Sequence, residues 1–247
     1  MLKVRDSMYD YDIAILKRYN KTKYKLTVHR VIRKKGLEVP KIKPKCTVNT
    51  EKLDNNISRA KSKIYEYSLC NEFDYFVTLT IDPQKLDRGD LPTYIKKLTQ
   101  FFRNYGINHN TKIQYVLIPE RHKDGAWHLH GLIKGILKKH LRKNENNYLE
   151  WRQYTERFGY MSLGKVRNQE AVSKYITKYV TKDMTNTIKK LGAKSYYCSR
   201  GLKKAVEIKR GRLRDDFLFQ FENDYIKTST FDIDDNVSLS VLTDSIG

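Results

Sequence analysis

The chain has 247 residues, and its 49 lysines and arginines outnumber its 28 acidic residues to give a formal net charge of +21. Such a charge is an argument about partners, and it favours nucleic acid first and an anionic membrane surface second. No run of about 18 apolar residues occurs, so we expect no membrane span, and the first residues lack the apolar segment of a secretory signal. Three scattered cysteines argue against a disulfide framework or a zinc ribbon, and the expected location is a reducing cytoplasm.

The hydrophobic pattern predicts an α+β chain with a central antiparallel or mixed sheet flanked by helices. Two strand-like runs at residues 11–33 surround a polar turn, and a proline-containing linker follows them. A helix is expected over residues 50–70, and a strand rich in β-branched and aromatic residues over 73–82. A second helix is expected over 91–105, with Gly106 as its end.

The second half of the chain continues this alternation of strands and helices. Residues 113–120 and 126–133 read as two strands joined by a hairpin with an Asp-Gly turn. A helix is predicted over 168–183, and a last strand within 195–209.

Charge divides the chain into three predicted parts. Residues 1–50 form a basic, strand-rich extension with a linker, and residues 51–221 hold the main domain. Residues 222–247 carry six acidic residues against one lysine, so we expect a mobile acidic tail there.

The sharpest local feature is the pair His128 and His130. Residues i and i+2 of a strand point to the same face, so both imidazoles offer nitrogen ligands to one divalent ion. Glu120 ends the preceding strand: a two-residue loop sets it opposite Leu129 on the wrong face, whereas a three-residue loop sets it opposite His128. Two histidines and a carboxylate suit Mn²⁺ or Mg²⁺, and the nitrogen ligands favour Mn²⁺. His122 is expected in the turn.

The second feature is a segment with two tyrosines and two lysines, each pair four residues apart. On a helix this spacing stacks Tyr175 beside Tyr179, with Lys178 and Lys182 next to them. A phenol is a poor nucleophile unless its charged form is stabilised, and neighbouring ammonium groups do this. The alternative is an amphipathic helix with its tyrosines on the core face.

The third feature is the strand that contains Phe76, Thr78, Thr80 and Asp82 on one face. Its hydroxyl groups either lie beneath the metal ion or touch a nucleic-acid backbone. Taken alone, the pattern is that of an ordinary strand.

Together, the three features resemble the HUH endonuclease superfamily, in particular the rolling-circle replication initiators of phages and plasmids. Residues 76–80 are similar to the first motif of that family, residues 128–130 with Glu120 to the second, and residues 175–182 to the third. The resemblance covers about residues 55–205 and implies an HUH or RRM-like core within residues 51–221.

The resemblance also implies a mechanism. Glu120, His128 and His130 would hold the divalent metal, Mn²⁺ or Mg²⁺. Tyr175 or Tyr179 would attack single-stranded origin DNA, which leaves a 5′-phosphotyrosine and a free 3′-OH that later permit rejoining. The sequence does not decide which tyrosine acts first.

The remaining expectations concern DNA and protein partners. Lys178 and Lys182 would steady the phosphate or the phenolate, and the origin would carry a hairpin or duplex near the nick. A host helicase and a host DNA polymerase are the expected partners in a bacterial cytoplasm, and the oligomeric state is open. Residues 1–50 either bind the origin duplex or extend the sheet. The residues expected to contact DNA are Thr78, Thr80, Lys165, Arg167 and Arg200.

Two alternatives stay open. One is another HUH branch, a transposase or a relaxase, and the other is a non-catalytic nucleic-acid-binding protein with an RRM-like sheet. Five aromatic residues between the basic runs either stack on bases or pack in the core: Trp127, Trp151, Tyr154, Phe158 and Tyr160.

Overall fold

A computed structural model of the chain describes residues 9–32, 50–181, 194–214, 217–222 and 226–247. The helices and strands in these residues, in chain order, are β1 (Tyr9–Arg18), β2 (Lys23–Ile32), α1 (Thr50–Cys70), β3 (Tyr75–Thr80), α2 (Leu91–Asn108), β4 (Gln114–Arg121), β5 (Trp127–Lys134), β6 (Leu141–Lys143), β7 (Leu149–Trp151), α3 (Arg152–Arg157), β8 (Met161–Lys165), α4 (Gln169–Ile176), β9 (Tyr197–Cys198), β10 (Val206–Gly211), β11 (Phe221–Glu222), β12 (Ile226–Asp232) and α5 (Asn236–Asp244).

The chain forms two compact units rather than the three predicted parts. The central unit spans residues 48–203, and the terminal unit combines the first 47 residues with residues 204–247. The fold is α+β, as predicted, but it has two sheets instead of one, and the strand pairs described in both are antiparallel. No helix in the described residues is long and apolar enough to cross a membrane.

The terminal unit contains a five-stranded sheet in the order β10-β1-β2-β12-β11. The expectation of a mobile tail over residues 222–247 is wrong, because β12 pairs with β2 along its whole length. Asp235 caps α5 by accepting a hydrogen bond from the Ser238 N–H at 2.6 Å. The apolar residues of this acidic segment, among them Ile233 and Leu242, are buried against the sheet. Burial of these side chains fixes the segment in place.

The central unit contains a seven-stranded sheet in the order β6-β7-β8-β3-β5-β4-β9. Helix α2 packs on one face, where Phe102 contacts Tyr115 with ring centroids 4.9 Å apart. Helix α4 packs on the other face through Tyr175 and Phe76. Helices α1 and α4 are joined by a hydrogen bond from the Gln169 side-chain amide to the Ser68 carbonyl.

Two local expectations need correction. Helix α2 continues past Gly106 to Asn108, and glycine is needed there for a different reason. A Cβ at Gly106 would lie 2.7 Å from the Thr111 carbonyl oxygen, so the missing side chain lets the following loop pack against the helix. The strand predicted within 195–209 is two separate strands, since β9 belongs to the central sheet and β10 to the terminal one.

The aromatic residues mostly follow the core-packing alternative. Trp127, Trp151, Tyr154 and Phe158 are buried, whereas Tyr160 is exposed. Cys70 and Cys198 are free thiols, and Cys46 lies outside the described residues.

Candidate functional site

The hairpin of β4 and β5 has the register that brings its carboxylate beside the histidines. Glu120 lies directly opposite His128, and the His122 N–H donates to the Ala126 carbonyl at 2.9 Å. The loop is therefore residues 123–125, with Gly125 in the left-handed region at φ 86°. The structure has the three-residue loop, so Glu120, His128 and His130 share one face of the sheet.

Strand β3 supports both histidines from below. Thr78 lies opposite His130 and Thr80 opposite His128. The Thr78 hydroxyl is 3.2 Å from Nδ1 of His130, and the Thr80 hydroxyl is 3.1 Å from Nδ1 of His128. A hydroxyl both donates and accepts, so it accommodates either tautomer of the ring. Both threonines therefore fix ring orientation and leave each Nε2 facing away from β3.

Glu120 is in direct contact with one of the two histidines. Nε2–H of His130 donates to Oε2 of Glu120 at 2.6 Å. Burial lowers the pKa of His130, and the Glu120 charge opposes that shift. Burial also lowers the pKa of His128, with the neighbouring His122 acting in the same direction. Both imidazoles are consequently neutral at pH 7, which is the form that ligates metals.

The donor types of this cluster fit a divalent metal, but the three side chains are not closed around one point. Within the described parts of the chain, no three His, Cys, Asp or Glu side chains form a group that could hold a metal ion. The reason is that Nε2 of His130 is engaged by Glu120, while the His128 ring stacks on His122 with centroids 3.7 Å apart. Two neutral imidazoles with supported Nδ1 atoms and an adjacent carboxylate are nevertheless the ligand set that Mn²⁺ accepts.

The two tyrosines lie next to this cluster. Helix α4 ends at Ile176 and continues as a 3₁₀ turn at Thr177–Tyr179, so the predicted helix is shorter than expected. The Tyr175 and Tyr179 hydroxyls are 3.1 Å apart. The Tyr179 ring stacks on the His130 ring with centroids 4.0 Å apart and planes inclined by 11°. Both phenols are therefore at the edge of the histidine cluster.

The surroundings of the two phenols differ. Tyr175 is 43% exposed, so its hydroxyl is open to a ligand from solvent. Burial raises the pKa of Tyr179, and the hydrogen bond with Tyr175 and the Glu120 charge add to that effect. Tyr179 thus carries its proton at neutral pH in this structure.

One predicted lysine can be placed and one cannot. The Lys178 ammonium lies 5.0 Å from the centroid of the Tyr175 ring, in cation–π geometry. Lys182 lies outside the described residues.

Sequence reasoning missed the part that Phe76 plays. Its ring contacts Tyr175 at 5.5 Å, Tyr179 at 6.2 Å and His130 at 6.4 Å between centroids. Phe76 therefore separates and orients the tyrosines and the histidine. The signal was its position two residues before Thr78, which places it on the same face of β3.

The predicted DNA-contacting cations fall into two groups. Lys165 and Arg167 line an open cavity of about 400 Å³ together with Phe76 and Tyr175. Arg200 is not near the cluster, because the preceding residue pairs with Tyr115 at the start of β4. Five residues of extended strand, roughly 16 Å, separate that end of β4 from the end that carries the carboxylate.

An antiparallel sheet that carries a His-x-His pair on an inner strand, faced by a helix with two tyrosines, is the arrangement expected of a replication initiator. Residues 74–184 match the family model described as Replication-associated protein ORF2. The match confirms the resemblance, spans all three motifs and covers less than half of the chain. No curated protein and no solved structure shows significant similarity to the chain.

Proposed function

We propose that the chain initiates rolling-circle replication by nicking single-stranded origin DNA through a tyrosine. The observation that carries the proposal is the stacking of Tyr179 on His130, 4.0 Å between ring centroids, with Tyr175 hydrogen-bonded beside it. A nucleophile and a neutral imidazole–carboxylate pair thereby lie side by side within the segment that matches the replication-associated family.

The reaction is a transesterification. The phenolic oxygen of Tyr175 or Tyr179 forms a bond to the scissile phosphorus, and the bond from phosphorus to the 3′ oxygen breaks. The phenolic proton is transferred overall to the leaving 3′ oxygen, which becomes the free 3′-OH. The phosphotyrosine keeps the energy of the phosphodiester, so attack by a 3′-OH rejoins the strand without a nucleotide cofactor.

Glu120, His128 and His130 are the residues that would hold Mn²⁺ or Mg²⁺. Bound there, the ion would neutralise charge on the phosphoryl oxygens in the transition state. Thr78 and Thr80 orient the two rings for that task through their hydroxyls. Binding requires the Nε2 proton of His130 to move to Nδ1, where the hydroxyl of β3 accepts it.

The open cavity beside Tyr175 gives the DNA strand a path to the nucleophile. Lys165 and Arg167 on its border supply phosphate contacts, while Phe76 provides an aromatic wall. Lys178, beside the Tyr175 ring, adds a positive charge near the scissile phosphate. In this proposal a host DNA polymerase extends the 3′-OH and a host helicase separates the strands.

The test is capture of the covalent intermediate. The protein is incubated with Mn²⁺ and a labelled pool of randomised single-stranded oligonucleotides, denatured in SDS, and digested for peptide mapping by mass spectrometry. We expect a nucleotide adduct on the peptide that contains Tyr175 and Tyr179. The Tyr175→Phe/Tyr179→Phe double variant should form none.

A His128→Ala/His130→Ala variant separates chemistry from binding. It should lose the adduct while it retains salt-dependent binding of the same oligonucleotides, because the basic surface is unchanged. The alternative is a binding protein without catalysis, and it is favoured by the unclosed ligand group among the described residues. Tight binding with no adduct in the wild-type protein at any Mn²⁺ concentration would establish that alternative.

A further inference from the structure

One face of the sheet in the terminal unit is packed and the other is open. Leu16 and Leu26, with their neighbours on the same face, are buried beneath α5 and residues 213–219. The side chains that alternate with them along β1, β2 and β12 are only partly buried. We call this second surface the open face, and its central residues are Ile13, Ile15, Lys17, Lys25, Thr27, His29, Ile226, Thr228 and Thr230.

Positive charges are concentrated on the open face. Lys17 lies directly opposite Lys25 in the β1–β2 register, and Arg210 of β10 lies opposite Ile15. Burial and the charge of Lys17 lower the pKa of Lys25. Burial lowers the pKa of His29 as well, and the charges of Lys17, Arg210 and Lys25 act in the same direction. These groups repel one another across a partly desolvated surface.

The acidic residues of this face are already engaged. Glu207 accepts two hydrogen bonds of 2.8 Å from Arg210, and Asp232 pairs with Lys23 at 2.5 Å at the end of β2. Within the described residues, neither Lys17 nor Lys25 forms an ion pair. Like charges directly opposite one another destabilise a sheet, so the folded unit retains an electrostatic cost that an anionic partner relieves.

The side chains between the cations indicate the kind of anion. The described centre of the open face carries aliphatic and hydroxyl groups, and the exposed ring of Phe221 lies on the edge strand β11. Single-stranded DNA is held by aromatic stacking platforms, whereas the phosphates of a duplex are held by lysines, arginines and hydroxyls. Membrane surfaces require an apolar face that inserts, and threonines interrupt the aliphatic residues here.

We propose that the open face binds the phosphate backbone of double-stranded DNA, with Lys17 and Lys25 as its central contacts. The inference rests on the proposed function for its choice of DNA. It assigns duplex binding to the terminal unit, outside residues 74–184 that match the replication-associated family. The single-stranded substrate is handled by the central unit.

The test compares two double variants of the full chain that lose the same charge. Binding of a labelled blunt duplex is measured by fluorescence anisotropy at several salt concentrations. We expect Lys17→Gln/Lys25→Gln to reduce the slope of log affinity against log salt by about 1.8 and to weaken binding on the order of 60-fold near 0.1 M salt. The control is Lys21→Gln/Lys209→Gln, because Lys21 lies in the β1–β2 turn and Lys209 opposite the buried Leu16. It should bind within a few-fold of wild type.

Equal affinity of the two double variants for the duplex would overturn the proposal. So would normal duplex binding together with lost sedimentation on phosphatidylserine vesicles, which would assign the face to a membrane. Lys17→Arg/Lys25→Arg should retain duplex binding, and unchanged melting temperatures exclude misfolding as the cause of a loss. Nicking of single-stranded DNA, assayed in parallel, should be equal in all these proteins. If wild type shows no nicking, the proposed function fails while the duplex measurement still decides this inference.

Discussion

Replacement of Thr78 by valine tests whether β3 supports the metal ligands or touches DNA. The valine keeps the shape of threonine but removes the hydroxyl that lies 3.2 Å from Nδ1 of His130. His130 is only 8% exposed, so water does not readily replace the lost partner. An unpaired buried group costs about 1–3 kcal/mol, which corresponds to roughly 5- to 150-fold in an equilibrium or rate. Loss of a hydrogen bond behind a metal ligand has a similar effect, about 10- to 100-fold.

We therefore expect Thr78→Val to nick roughly 10- to 100-fold more slowly at fixed Mn²⁺ and to need more Mn²⁺ for half-maximal rate. The assay is single-turnover nicking of a cleavable single strand over a Mn²⁺ titration. Binding of the same strand is measured in parallel by anisotropy without metal. The affinity for DNA should not change, because the hydroxyl faces the imidazole.

The matched control is Thr78→Ser, which keeps the hydroxyl and should retain most of the activity. A different outcome would refute the reasoning. If Thr78→Val weakens DNA binding and leaves the Mn²⁺ dependence of the rate unchanged, the hydroxyl contacts the nucleic acid and does not orient His130.

Three further predictions concern the tyrosines, the sheet and the ring between them. Tyr175→Phe or Tyr179→Phe alone should leave partial cleavage or joining in the adduct assay; complete loss from each single change would instead mean that the two hydroxyls act as a unit. Gly131→Ala should lower the free energy of unfolding by about 3 kcal/mol or more in urea melts, because its Cβ would lie 2.2 Å from a carbonyl oxygen of β4. Gly164→Ala, where the nearest atom is 4.0 Å away, is the matched control and should be near neutral. Phe76→Leu should slow nicking more than it weakens DNA binding, since both tyrosine rings lose their support; equal losses would contradict that role.

The site was predictable to the extent that it depends on local geometry. Strand alternation alone placed His128 and His130 on one face, and the hairpin rule reduced the position of Glu120 to two alternatives. The structure has the alternative that brings the carboxylate to the histidines. Helix α1 was equally accessible, because its apolar period and its start at Thr50 are both local signals.

Contacts between distant residues were not predictable from pattern. The stacking of Tyr179 on His130 and the position of Arg200 depend on which strands pair, and alternation says nothing about partners. The same limit explains the strand predicted within 195–209. Its period is continuous, but the residues between β9 and β10 separate two sheets, and only tertiary contacts show where one ends.

The acidic C-terminal segment shows why a charge count misleads about structure. Six acidic residues suggested a solvated tail, yet β12 inserts beside β2, where Asp232 pairs with Lys23. The acids of the segment serve individual partners, as does Glu222 with Lys227. Local neutralisation of these cations leaves the repulsion between Lys17 and Lys25 uncompensated in the described residues. The net charge of the chain therefore resolves into a specific uncovered surface, and the choice of strand partners decides where that surface lies.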